Sequence, residues 1–401
     1  MSSILTLNAG SSSTKFAVYA DDQGLPCLAS GQVSDIGGDA AIALHWDGTK
    51  SNDPVRAADH HEALQAIMAA LSPVLDGREV VCIGHRIVHG GTEFSKPTLL
   101  TDDVINALSG LSPLAPLHQP HNLEGVAAAK AAFPEALQVG CFDTAFHRSQ
   151  SWVNETFALP RRYYHEGVKR YGFHGLSYQS IASQLCTEER DLLNGRVIVA
   201  HLGNGASLCA MRNGVSVSST MGFSALDGLP MGTRCGQLDP GVILYFLEHG
   251  MTVDELTNLL YKESGLKGLS GVSNDMRALL ESERPEAREA VDYFCFRIRR
   301  EIGALTAVLG GLDALVFTAG IGERAPPVRA QSVEGLSHLG LEVDASANER
   351  NDRMIGAGAV PILVLSTDEE RIIAQAASAF ATLDIDVAHA QATTAFVKAA
   401  E

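Results

Sequence analysis

The sequence lacks the cysteine spacing that staples or metallates small domains. Its seven cysteines, at 27, 82, 141, 186, 209, 235 and 295, are odd in number, widely spaced and never in a C-x-x-C pair. That excludes a disulfide framework and a structural zinc site and fits a reducing, cytoplasmic setting. Each thiol then reads as a small buried hydrophobe. Positive charge is scarce: 30 Lys and Arg face 47 Asp and Glu, a net charge of −17 at pH 7. So acidic a chain is a poor partner for nucleic acid or an anionic membrane. Any anionic ligand must be met by local cations and backbone N–H groups. Uninterrupted apolar runs are missing too. The longest, Ala304 to Ile321, contains Asp313 and several glycines and reads as buried core rather than a membrane span. The first residues carry no cationic stretch followed by an apolar one, so no signal peptide is expected. The P-loop pattern G-x-x-x-x-G-K-[ST] occurs nowhere. What remains is an ordinary globular composition over 401 residues, 46% apolar and 19% charged. It is long enough for two to three domains with real cores.

Periodicity outlines the elements. Residues 4–7 and 16–20 read as strands flanking the small-residue turn Asn8-Ala9-Gly10-Ser11-Ser12-Ser13-Thr14-Lys15. Leu64, Ile67, Met68, Leu71 and Leu75 recur at helical spacing over residues 60–75. Val80 to Ile83 and Leu137 to Phe142 read as strands. Residues 112–121, with Pro113, Pro116 and Pro120, read as loop, and Leu123 to Ala132 as helix. Val197 to His201, the turn Gly203-Asn204-Gly205 and Leu208 to Met211 repeat the N-terminal plan of strand, small-residue turn, strand, ahead of the Asn213-Gly214 turn. The repeat points to a duplicated α/β unit. Gly241 to Gly311 is mainly helical. Ala314 to Thr318 is a strand ending in the turn Ala319-Gly320-Ile321-Gly322-Glu323. Val360 to Leu365 is a further strand, followed by a helix to about residue 383 and an Ala-rich, helical end.

Four features carry chemistry. The Asn8–Lys15 turn exposes backbone N–H groups, hydroxyls and one cation, as a phosphate cradle requires, although a solvent-exposed hairpin has the same composition. His201-Leu202-Gly203-Asn204-Gly205 offers close backbone approach, again with a plain hairpin as the alternative. Gly320-Ile321-Gly322-Glu323 lacks the third glycine of a dinucleotide fingerprint, yet a strand-end turn lets a base or ribose lie against backbone. Arg86, Asp143, His174 and Arg234 each sit in an apolar or Gly-rich setting where an unpartnered charge is costly. Two Arg, one His and one Asp are the groups needed to hold a carboxylate and neutralise a transferring phosphoryl group, although each Arg also reads as a structural ion pair and the His as a core histidine. His85 and His89 sit on extended chain with no following Glu, which argues against zinc. His118 and His121 lie in the Pro-rich loop, His118 the better functional candidate.

These segments occur in one order: N-x-G-S-S-S-x-K, G-H-R-x-V-H-G-G, F-D-T-A-F-H, R-Y-G-F-H-G, H-L-G-N-G-A-S, M-G-T-R-x-G-x-L-D-P, G-I-G-E and T-x-E-E. Together they resemble the acetate kinase family, within the superfamily of acetate and sugar kinases, actin and heat-shock chaperone ATPases. The resemblance runs from Asn8 to Glu370. It implies an α/β fold of two duplicated ribonuclease-H-like, actin-like ATPase domains with a nucleotide cleft between them. Residues 1–145 plus 371–401 would form the first domain, closed by the C-terminal helix. Residues 146–370 would form the second and carry most of the ATP site. It also implies ATP and ADP as nucleotide, Mg²⁺ with Mn²⁺ as a substitute, reversible phosphoryl transfer to acetate, and a homodimer with neither nucleic-acid nor membrane partner.

Roles follow residue by residue from the resemblance. Asn8 and Glu369 would bind the metal. Lys15 with Ser11, Ser12 and Ser13 would face the phosphates, and His201, Leu202, Gly203, Asn204 and Gly205 would cradle them. Asp275, Met276 and Arg277, with Gly320, Ile321, Gly322, Glu323 and Arg324, would hold adenosine. Arg86 would pair the acetate carboxylate, and Val88, Leu117 and Phe173 would line its methyl pocket. His174 and Arg234 would stabilise the transferring phosphoryl group, with Asp143 as the third catalytic residue. Acetate is ionised at pH 7, so no base is needed to create the nucleophile, and Asp143 reads as positioning Arg86 or a Mg²⁺-bound water. Three positions depart from the family pattern: Arg324 stands for an Asn, Ala225 for a Pro beside the acyl pocket, and Asp368 for an Asn. A smaller residue at 225 opens the alternative of a propionate or general short-chain carboxylate kinase. A different class, an actin- or chaperone-like ATPase without acyl transfer, has no use for a carboxylate pocket.

Overall fold

The structure, a computed structural model, describes residues 1–10 and 12–382. Its chain divides into two compact units. Unit 1 is Met1–Ala145 joined by the described residues from Asp368 onward, and unit 2 is Phe146–Thr367.

Unit 1 holds strands β1 (Ser2–Ala9), β2 (Thr14–Ala20), β3 (Cys27–Ser34), β4 (Ala41–Trp46), β5 (Thr49–Pro54), β6 (Glu79–Ile87), β7 (Thr98–Leu99) and β8 (Leu137–Phe142), in the spatial order β5-β4-β3-β2-β1-β6-β8-β7. β1 to β5 form an antiparallel meander, while β6 and β8 add to β1 in parallel. β1 is buried along nearly its whole length. That is why its residues read as a continuous apolar run rather than an alternation. Helices α1 (His60–Leu75), α2 (Asp102–Ser109) and α3 (Gln119–Ala132) cover the sheet. α1 buries Leu64, Ile67 and Leu71 beside Leu5, Phe16 and Ile83, and the Asp59 carboxylate caps it by accepting from Glu62 N–H. Residues 369–382 are helical and belong to this unit. They lie so close to β6 that a Cβ on Gly84 would stand 2.4 Å from Ile373 Cγ2, which only glycine avoids.

Unit 2 holds β9 (Arg196–Leu202), β10 (Ala206–Arg212), β11 (Val215–Ser219), β12 (Ala314–Thr318) and β13 (Ile362–Val364), ordered β11-β10-β9-β12-β13. Here too an antiparallel three-strand meander is extended in parallel by two later strands. The shared order, third-second-first-fourth-fifth, makes the sequence repeat a topological one. Unit 1 adds the β4–β5 ribbon at one edge and β7 at the other. The 25-residue helix Pro285–Leu309 buries Phe294, Ile298, Ile302 and Leu305.

Four local expectations change. α3 begins at Gln119 inside the stretch read as loop, because Pro120 falls in the first helical turn, where its missing N–H is no loss. Ala319–Arg324 is a helical turn rather than an open Gly loop, entered through Ala319 at φ 65°. β13 is shorter than the apolar run Val360–Leu365. Cys27 and Cys186 are exposed, not buried, whereas Cys82, Cys141, Cys209 and Cys295 are buried and all seven thiols are free. The Ala-rich end beyond residue 382 lies outside the described residues. Among the described residues, no helix is long and apolar enough to cross a membrane.

Two buried histidines tie stability to pH. Burial draws His85, bonded to Gln138 Oε1 at 2.8 Å, down to about 4, although that bond raises it. His147, bonded to Ser216 Oγ and the Phe173 carbonyl, is drawn to about 4 in the same way. Unfolded, both titrate near ~6.5. Between pH 6.5 and 4 the unfolded chain therefore binds protons that the folded chain does not. Stability is full above that window and falls on acidification by about 1.4 kcal/mol per pH unit per histidine. Urea midpoints at pH 7 and pH 5 check this. The midpoint drops at pH 5 in the native chain and drops less in His147→Asn.

Candidate active site

In unit 1 the parallel strands β1, β6 and β8 end side by side, and each ends in a polar group: Asn8, Arg86 and, one residue past β8, Asp143. The Arg86 guanidinium donates through Nε to Asp143 Oδ1 and Oδ2 at 3.1 Å, and through Nη2 to Oδ2 at 2.7 Å. Its Nη1 donates to Asn8 Oδ1 at 3.2 Å and lies 3.9 Å from Glu369 Oε2. A guanidinium has five N–H donors. Asp143 and Asn8 engage three, which leaves one on each terminal nitrogen, a pair matched to one carboxylate. Asp143 is buried, which pushes its carboxyl up, while Arg86 pulls it down. For Arg86 burial acts to lower the pKa, but the charges of Asp143 and Glu369 outweigh it and keep the guanidinium ionised.

A bracket that sequence reasoning missed holds this end of the sheet. Asn122 Oδ1 accepts from Val88 N–H at 2.9 Å and its Nδ2 donates to the Ala9 carbonyl at 2.5 Å. Gln119 accepts from His89 N–H and donates to the His89 carbonyl. Both residues lie at the start of α3, so the only sequence signal was two amides, Gln119 in the stretch read as loop and Asn122 between it and the helix read from Leu123. Val88 is buried and Leu117 half-buried. His118 is the residue before α3. In the β1–β2 turn, Gly10 N–H donates to the Ser13 carbonyl and Ile36 N–H to that of Ser12. Ser11 lies outside the described residues. Lys15, exposed on β2 and paired in register with Asn8, lines a cavity of about 530 Å³ with Asp368, Glu370 and Arg371. Burial and Glu369 push the Glu370 carboxyl up, and Lys15 pulls it down. Asp368 Oδ1 accepts from Arg371 N–H and so caps the helix that begins at Glu369, a role an Asn fills equally well, so the departure at 368 has no structural explanation.

In unit 2 the β9–β10 hairpin turns through Gly203, Asn204 and Gly205, with Gly203 N–H bonded to the Gly205 carbonyl. His174 precedes the helix Gly175–Glu188 in the left-handed region, φ 58°. Its ring stacks on that of His201, centroids 4.2 Å apart, and its Nδ1 meets Ser207 Oγ at 2.8 Å. His201 Nδ1 is held by Ser177 Oγ at 2.8 Å. A Cβ on Gly205 would stand 3.0 Å from His174 Nε2, so the glycine is what lets the ring lie against the turn. The loop carrying Arg234 is tied to the same turn, since Gly232 N–H donates to the Asn204 carbonyl, and Arg234 Nη1 donates to the Ala225 carbonyl at 3.4 Å. Phe173, beside His174 in the chain, is buried.

Gly203, Asn204, Asp275, Met276, Arg277, Gly320, Ile321 and Arg324 line one cavity of about 320 Å³, together with Asn274 and Ala325. Arg324 thus keeps its place at this cavity despite its departure from the usual Asn. Three neighbours face elsewhere: Leu202 is buried in the core, Gly322 is buried with its carbonyl bonded to Arg329 Nη1, and Glu323 accepts from Ser366 Oγ. Arg329, wholly buried and also bonded to Asn348 Oδ1, fixes the short helix at the cavity rim and carried no sequence signal.

A sequence model of the acetokinase family matches residues 3–375. The acetate kinase of Methylocella silvestris is 51% identical over 389 residues, covering 93% of this chain and 96% of that protein. That of Nitrobacter hamburgensis is 47% identical over 386 residues, covering 94% and 95%. Among solved structures, a propionate kinase from Francisella tularensis superposes with a TM-score of 0.86 at 35% identity, covering 94% of this chain and 99% of that one. Porphyromonas gingivalis acetate kinase does so with 0.82 at 34%, over the same shares. On this fold, these paired side chains and a family match spanning nearly the whole sequence, the chain belongs to the acetokinase family.

Proposed function

We propose that the protein transfers the γ-phosphoryl group of ATP to acetate, reversibly, giving acetyl phosphate and ADP. The observation that carries this reading is the Arg86–Asp143–Asn8 cluster. A guanidinium pinned on one side by a buried carboxylate, with one N–H on each terminal nitrogen engaged by neither Asp143 nor Asn8, is a receptor for a small carboxylate, and an ATPase that works by conformational change has no use for one. ATP sits in the unit 2 cavity, its phosphates over the Gly203–Gly205 turn. An anionic acetate oxygen attacks the γ-phosphorus in line. His174 Nε2 and the Arg234 guanidinium neutralise the charge that spreads over the equatorial oxygens. Asp143 holds Arg86 in orientation and takes no proton, since the nucleophile is already an anion.

Asn8 and Glu369 would hold Mg²⁺. A carboxylate and an amide oxygen, both within 3.9 Å of the same Arg86 nitrogen, are the hard oxygen donors that ion takes. When bound it screens the phosphate charge. Each compact unit serves as one actin-like domain. The protein works in the cytoplasm, where its seven free thiols stay reduced. It pairs with a second copy through the apolar helix Pro240–Glu248, none of whose residues is buried and whose Leu244 and Tyr245 are 59% and 55% exposed.

A propionate kinase is the second reading, favoured by Ala225. Its carbonyl accepts from Arg234 Nη1, and it stands where the family often has a larger proline, which would line the acyl pocket. One methylene changes binding by only about 1–3 kcal/mol, so both acids are turned over to some degree. Incubation with Mg-ATP and acetate, propionate or butyrate, trapping acyl phosphate with hydroxylamine, gives the most hydroxamate with acetate. A larger yield with propionate establishes the second reading. ATP hydrolysis without hydroxamate from any acid overturns both.

A further inference from the structure

One cluster in unit 1, outside every residue assigned above, carries ligand chemistry. His60 opens α1, while His121 and Glu124 stand one turn apart on α3. One ligating atom from each lies within 4.8 Å of the other two. His121 Nδ1 and Glu124 Oε2 are 3.1 Å apart. That is close to the separation of roughly 3.3 Å that bonds of about 2.0–2.2 Å impose on two ligands of a tetrahedral zinc. A second, independent feature points the same way. His60 is only 8% exposed, and its Nδ1 lies 3.1 Å from Thr14 Oγ1, yet its Nε2 is buried without a hydrogen-bond partner. In the tautomer whose Nδ1–H donates to Thr14 Oγ1, Nε2 presents a bare lone pair. An anchored distal nitrogen and an open proximal one are how a metal-binding imidazole is held. A buried polar atom left unused costs free energy, which a bound cation would recover.

We propose that His60, His121 and Glu124 bind one divalent transition-metal ion, zinc by the chemistry of the set, with solvent completing the coordination. Two imidazoles and one carboxylate suit zinc. Mg²⁺ prefers oxygen alone, so this site is distinct from Asn8 and Glu369. The side chains of His121 and Glu124 are 33% and 58% exposed, so the ion enters from solvent. Once bound, it clamps α1 to α3 and, through Thr14, braces the start of β2 next to Lys15.

The full-length protein, stripped with EDTA and exchanged into chelator-free buffer at pH 7.5, is titrated with Co²⁺ and then Zn²⁺. One equivalent of Co²⁺ gives visible d–d absorption that Zn²⁺ displaces. Zn²⁺ raises the Tm of the native chain. His121→Ala and Glu124→Gln each weaken Zn²⁺ binding by about tenfold or more and abolish the Tm rise. Both changes are at solvent-accessible positions, and far-UV circular dichroism verifies that the variants are folded. Absence of the Co²⁺ band, or Zn²⁺ affinity equal in native and variant chains, overturns the proposal and leaves His121 and Glu124 as an ion pair only.

Discussion

Arg86→Ala lowers kcat/KM for acetate by about a thousandfold or more while leaving ATP affinity nearly unchanged. The argument is one of charge and geometry. The variant loses both N–H groups available to the acetate carboxylate, each a charge-assisted bond worth about 1.5–3 kcal/mol. The loss divides between a raised KM, from the bound carboxylate, and a lowered kcat, because the nucleophile is no longer aimed. A second effect accompanies it. Asp143 is buried and pairs with Arg86 at 2.7 Å. Removing the cation strands the carboxylate, and breaking such a buried pair costs about 3–5 kcal/mol of stability. Arg86→Lys separates the two effects: it returns charge beside Asp143 but not the planar fork, so stability recovers more than acetate turnover does. Steady-state kinetics and urea unfolding of the two variants check this. Native-like acetate kinetics in Arg86→Ala would remove Arg86 from the carboxylate site.

His174→Ala lowers kcat by about a hundredfold to a thousandfold, with little change in the KM for acetate or the affinity for ATP. The imidazole is fixed from three sides. His201 stacks on its face, Ser207 holds Nδ1, and the left-handed backbone places it at the start of its helix. Nε2 lies against the Gly205 turn, and in the tautomer whose Nδ1 accepts from Ser207 Oγ it carries the N–H. A donor so placed meets charge that develops only as the phosphoryl group transfers, and therefore acts on kcat rather than on substrate binding. Comparing kcat with both KM values makes the test. A loss confined to ATP affinity would make His174 a nucleotide-binding residue instead. Gly205→Ala provides a control within the same turn: the added methyl displaces the His174 ring, so kcat falls while the imidazole is still present.

How far the sequence reached differs between the two units for a physical reason. Most of the residues that line the unit 2 cavity stood out in the sequence, because much of its wall is built from local motifs. The Gly203–Gly205 turn and the end of β12 each stand out over a few adjacent residues, whereas Asp275, Met276 and Arg277 entered only through the family resemblance. Where local reading failed, the backbone resolved an ambiguity that spacing alone leaves open. Pro120 marks a helix start as readily as a loop, and Gly320 and Gly322 sit in a helical turn as readily as an open one. The unit 1 cluster was legible only as isolated residues. Asn8, Arg86 and Asp143 were singled out, yet the pairing of Arg86 with partners 78 and 57 residues away follows from which strand ends lie next to each other in a parallel sheet. Parallel pairing is made through long connections, and no spacing along the chain records it. The amide bracket of Asn122 and Gln119 arises in the same way, from the packing of α3 against the ends of β1 and β6, and the meeting of His60 with His121 and Glu124 from the packing of α1 and α3. The sequence by itself determined the fold class, the family resemblance and the residues singled out as candidates for the chemistry. The tertiary structure alone decided which side chain faces which, because side-chain pairing depends on distances through space that only the packed chain sets.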